Sequence, residues 1–151
     1  MLEALVVRLI LGPLFLICLL VVFYLRKRKA ARLLMVIGAL HVLGGLVVGR
    51  EPLARIFREG FFGEADSALG GLPTETEKEL VFWFLLWGVF TFMLGQLVSQ
   101  MEGRGLRPPA YFGWELAAVS LLCAALMPTG GFWLVLVPAF LLIKEAGSTE
   151  G

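Results

Sequence analysis

His41 is the only histidine in the 151-residue chain, and it lies within an unbroken apolar run at 33–50. An imidazole titrates near neutrality, so it can donate or accept a proton where few other side chains can. Gly38 and Gly45 stand three residues before it and four after it, on the same face of a helix. Small residues let helix backbones approach in lipid, and an ionisable group there is expected to face the bundle interior. The chemistry predicted for this spot is acid/base work on a lipophilic molecule held between helices, with His41 as proton donor or acceptor. Trp87 and Thr91 are expected to line the same cavity, with Trp83 and Gly45 beside them. A tryptophan face can hold a cation. Glu102, at the far mouth of the same bundle, completes the candidate acid/base set. Other catalytic chemistries lack partners. Cys18 and Cys123 make neither a CxxC nor a zinc spacing, and a serine triad would need an imidazole of its own. Haem ligation would need a second axial ligand that the sequence does not offer. No metal and no cofactor are expected.

The elements that must position these residues read as membrane helices. The chain is 59% hydrophobic with a mean hydropathy of +0.88, against about 45–50% apolar residues in an ordinary soluble domain. The net charge of +1 gives no basic footprint for nucleic acid. The first apolar run, 4–24, has the ~20 residues that a bilayer crossing needs. Glu3 precedes it and Arg26, Lys27, Arg28, Lys29 and Arg32 follow it, the reverse of a secretory signal. The run at 33–49 is a second span. A third covers 80–101, where Trp87, Thr91, Gly95 and Ser99 step by four. A fourth covers 110–127, with Gly113, Ala117, Ser120 and Ala124 as a small-residue stripe for close contact. The last segment, 130–144, holds only a short apolar run with Pro138 in it, and spanning and re-entry both remain open.

Between the second and third spans lies the outer loop 50–79. Leu53, Ile56, Phe57 and Phe61 fall at helical spacing there, which predicts an amphipathic helix resting in the outer interface or closing over the bundle mouth. Thr74 and Glu77 form a capping box that opens the third helix. Five basic residues in 26–32, then Arg104, Arg107 and Lys144, mark the inner side. Glu115, near that side, is expected to pair with Arg104 or Arg107, with proton carriage as its sharper alternative. The expected fold is all-α: a single transmembrane domain of five spans, the fifth short, with the N-terminus outside.

Gly38-x-x-His41, Phe82-Trp83-Phe84, Gly113-Trp114 and the stretch Met127-Pro128-Thr129-Gly130-Gly131-Phe132-Trp133-Leu134 together resemble a family of small bacterial multi-spanning membrane proteins of unknown function. The likeness covers roughly 33–143 and leaves the first helix outside. It implies a multi-pass protein of the bacterial cytoplasmic membrane and transfers no catalytic residue. Two further functions compete with lipophile chemistry: a small proton-coupled exporter, and an assembly subunit in which His41 only hydrogen-bonds a facing helix. Membrane lipids are the expected partners, and a homodimer is compatible with the sequence.

Overall fold

The computed structural model describes residues 29–61, 75–127 and 131–147. The expected first span, the basic residues 26–28, the acidic loop 62–74 and the tail after 147 lie outside these. Among the described residues the protein is all-helical, without a strand. Its helices are α1 (Lys29–Val48), α2 (Arg50–Glu59), α3 (Glu75–Gly103), α4 (Ala110–Leu126) and α5 (Leu136–Gly147), the last entered through a 3-10 turn at Phe132–Val135. The chain divides into two compact units: a terminal unit, Met1–Ile37 with Met93–Gly151, and a mid-chain unit, Gly38–Phe92.

Among the described residues two helices, α1 and α3, are long and apolar enough to cross a membrane. Only 28% and 22% of their most apolar windows are buried inside the protein. A core helix of a soluble domain would be mostly covered, whereas these leave Leu43, Val47, Trp83, Phe90, Met93 and Leu97 more than half exposed. α1 already includes 29–32, ahead of the apolar run. Ala30 and Ala31 are fully buried there, and Lys29 and Arg32, both good helix formers, carry the helix into the basic cluster.

In the terminal unit, Ala30, Ala31, Leu34, Val98, Val135 and Leu142 form one buried cluster. A Cβ at Gly95 would lie 2.7 Å from the Met35 backbone nitrogen and 2.8 Å from the Ala31 oxygen, so α1 and α3 touch there backbone to backbone. Gly113, Ala117 and Ser120 of α4 are buried, as the small-residue stripe predicts, and a Cβ at Gly113 would meet the Ala139 oxygen and Ile143 nitrogen of α5, each at 3.0 Å. Ser120 donates to the Leu116 carbonyl at 2.7 Å, so its hydroxyl is satisfied within its own helix. Pro138 falls in the first turn of α5, where a backbone N–H has no helical partner to lose. Gly131 takes the left-handed conformation (φ 76) that starts the 3-10 turn. The helical stretch 132–147 is therefore about 26 Å long, the same as the 17 residues of α4.

In the mid-chain unit, Gly49 alone separates α1 from α2. Its N–H donates to the Gly45 carbonyl at 2.8 Å, and its own carbonyl accepts from Leu53 at 3.0 Å. Thr74 of the expected capping box lies outside the described residues, which resume at Glu75 within α3. Two ion pairs, Arg55 with Glu77 and Lys78 with Glu59, join α2 to the first turn of α3.

Candidate functional site

The imidazole of His41 is placed by a seam of small residues. Gly38, Val42 and Gly45 on α1 and Gly49 just after it follow a four-three-four spacing, and Val81, Leu85, Gly88 and Phe92 on α3 follow the same one, the spacing that keeps two helices in register. The contacts pair them antiparallel. A Cβ on Gly38 would lie 2.5 Å from the Phe92 nitrogen and 2.7 Å from the Gly88 oxygen, and one on Gly49 would strike the Val81 methyl groups at 2.7 and 2.8 Å. A Cβ on Gly45 would meet Leu85 at 2.7 Å and the Phe84 ring at 2.8 Å.

This close approach brings Phe84 flat against His41. The ring centroids are 3.7 Å apart and the planes differ by 16°. His41 is half-buried, and among the described residues the imidazole makes no hydrogen bond or ion pair. His41 lies about 10 Å from the α1 C-terminus.

The other candidate residues separate. Gly45 does not offer its surface to a ligand: Leu85 and Phe84 occupy it, and its role is to admit the Phe84 ring. Thr91 is buried, and its hydroxyl donates to the Trp87 carbonyl at 2.9 Å, which leaves only acceptor capacity for a guest. Trp87 is half-buried on the turn before it. Trp83 is 57% exposed and lies edge-on to Phe82, with centroids 5.6 Å apart. It belongs to an outward aromatic pair. Glu102 is half-buried in the terminal unit with both carboxylate oxygens shut from solvent. Along α3, 18 residues separate it from Phe84, about 27 Å of helix, so it is left out of the chemistry assigned to the imidazole.

Arg104 and Arg107 are exposed beyond the end of α3. Arg107 donates to the Glu145 carbonyl at 3.2 Å, a cation on the negative end of α5. Glu115 is exposed and makes no ion pair among the described residues, so the pairing with Arg104 or Arg107 expected from sequence is replaced by that backbone contact. Among the described residues no three His, Cys, Asp or Glu side chains gather as a metal site.

Two features escaped the sequence reading. Phe84 was legible only as part of an aromatic run, although matching the two four-three-four spacings would have set it near His41. Lys78, 2% exposed and paired with Glu59, carries no sequence signal, because a lysine in an acidic stretch reads as solvated.

A model of a family of unknown function (DUF6463) matches residues 25–148, beginning just after the first apolar run. No curated protein matches the chain, and no solved structure does.

Proposed function

The chain belongs to that family of unknown function, and we propose from its own residues that it is a multi-pass membrane protein that binds, and by proton transfer converts, a lipophilic molecule at His41. The observation that carries this reading is an imidazole on an apolar helix, stacked on Phe84 and free of hydrogen bonds among the described residues. A histidine kept for assembly alone would be expected to bond a carbonyl or hydroxyl on the facing helix. Stacking fixes the plane of the ring while leaving its edge, with Nδ1 and Nε2, to meet the polar group of a guest. One nitrogen then gives a proton to that group or removes one from it. Trp87, one turn along α3 from Phe84, supplies an aromatic wall for such a guest.

The membrane setting in this proposal has five spans in one domain, with the N-terminus outside. α1 and α3 supply two of them. α4 and the stretch 132–147, each about 26 Å long, supply two more with slight thinning of a ~30 Å hydrocarbon layer. The run at 4–24 supplies the fifth. Basic residues at 26–32, 104, 107 and 144 then share the cytoplasmic side.

Mass spectrometry of lipophiles extracted from the purified protein tests the reading. The wild type is expected to carry a neutral lipid, isoprenoid or quinone that His41→Gln, which keeps size and polarity, retains but no longer converts, and that His41→Ala releases. Equal occupancy in wild type and His41→Ala contradicts it. Proton-driven uptake into liposomes would instead mark an exporter, and a stable heteromeric partner an assembly subunit.

A further inference from the structure

The spacing of Leu53, Ile56, Phe57 and Phe61 predicts an amphipathic helix resting in the outer interface or closing over the bundle mouth. The protein buries Ile56, leaves Leu53 half-buried, and turns the two aromatics outward. Phe57 is 69% exposed and Phe61 55% exposed, and they stack on each other with centroids 5.5 Å apart. Two large rings held together on the outside of a ten-residue helix need an apolar medium.

The helix geometry shows where that medium lies. The 20 described residues of α1 rise about 30 Å, one hydrocarbon thickness, and α2 begins two residues after the end of α1. α2 then meets α3 at both of its ends. Gly49, just before it, packs on Val81, and Glu59, its last residue, pairs with Lys78. Val81 and Lys78 are three residues apart, about 4.5 Å along α3, whereas α2 is about 15 Å long. A helix that travels so little along its neighbour crosses it. With α3 along the membrane normal, α2 lies in the membrane plane at the level where α1 leaves the hydrocarbon. Arg50 stands seven residues before Phe57, two helical turns back on the same face, and is exposed beside the rings. Exposed rings and an arginine along one face of a helix in the membrane plane fit the headgroup boundary, where the long arginine side chain reaches up to the phosphates.

We infer that α2 is an interfacial anchor whose Phe57–Phe61 pair enters the outer headgroup–acyl boundary, with the Glu59–Lys78 and Arg55–Glu77 pairs fixing its depth against α3. The partner is the phospholipid surface. The inference rests on the spanning assignment of α1 and α3, and the experiment separates the two. Nitroxide labels are placed singly at Phe57→Cys, Phe61→Cys, Leu43→Cys and Arg104→Cys, in a Cys18→Ser, Cys123→Ser background, in phosphatidylcholine/phosphatidylglycerol nanodiscs. The ratio of oxygen to nickel-chelate collision rates reports depth. The labels at 57 and 61 are expected to fall between the high ratio at Leu43 and the low one at Arg104. Lys78→Glu is expected to drop them toward the Arg104 value, and Glu59→Lys with Lys78→Glu to restore them. Values at 57 and 61 equal to that at Arg104 overturn the anchor. A low ratio at Leu43 as well overturns the spanning assignment beneath it. Unchanged ratios in Lys78→Glu overturn the role of the ion pairs.

Discussion

Both units bring helices together at glycines, Gly95 and Gly113 in the terminal unit and Gly38, Gly45 and Gly49 in the mid-chain unit, but different residues surround those contacts. The terminal unit is closed by alkyl groups: Ala30, Ala31, Leu34, Val98, Val135 and Leu142 are almost wholly buried, and the buried Ser120 spends its hydroxyl on its own helix. The mid-chain unit has little of this. Its helices touch through glycines, and it places a stacked imidazole, a buried lysine and two ion pairs around that seam. In lipid the terminal unit's side chains gain little from leaving the acyl chains, and shape is what holds them together. Glycine contact does the same work while leaving neighbouring positions free to carry polar groups. The contrast teaches that the stacked imidazole, the buried lysine and the two ion pairs fall in the unit that lacks the buried alkyl cluster.

Substitutions can break that contrast, and the expected effects fall in order. The largest belongs to the glycine seam. Gly38→Leu places atoms on the Phe92 and Gly88 backbones, which cannot yield as a flexible side chain would, and should destabilise by about 3 kcal/mol or more. Unfolding in graded denaturing detergent measures it, and a near-neutral result would remove the seam. Next comes the terminal core. Leu142→Ala opens a cavity in a cluster with no polar substitute and should cost about 2.5 kcal/mol by the same assay. A loss below that of the ion-pair variants would mean that the alkyl cluster is loosely packed.

The third effect is asymmetric. Glu59→Gln leaves the Lys78 ammonium buried with less compensation and should cost about 2 kcal/mol, whereas Lys78→Met leaves a half-exposed carboxylate that water can serve and should cost about half as much. Equal losses would show that Lys78 is not enclosed. Smallest is Ser120→Ala, expected to change stability by no more than about 0.5 kcal/mol because the hydroxyl only returns to Leu116. A larger loss would give the terminal unit an interhelical polar contact after all.

Much of this fold was legible from run length and spacing. The apolar stretches place α1, α3 and α4, and the Gly113–Ala117–Ser120 stripe predicts the face of α4 that is buried. Ends were read less well, because polarity was taken as a boundary. Lys29 and Arg32 lie inside α1, and Glu145, Ala146 and Gly147 continue α5 beyond the apolar run. For the site, the glycines flanking His41 were visible and their partners were not. Phe84, Val81 and Lys78 owe their places to the register between α1, α2 and α3, a tertiary property that no single stretch of residues carries. The outward turn of Phe57 and Phe61 has the same origin: once Glu59 is tied to Lys78, the helix has one rotation, and that rotation buries Ile56.

With a single histidine in the sequence, nitrogen-15 labelling of that residue in the untagged protein yields one imidazole signal in nanodiscs. Two broadening agents then locate it, a lipid with a nitroxide on its acyl chain and a water-soluble gadolinium chelate. The expected result is strong broadening of the His41 resonances by the lipid nitroxide and none by the chelate. Broadening by the chelate alone would place the ring in water and contradict the site.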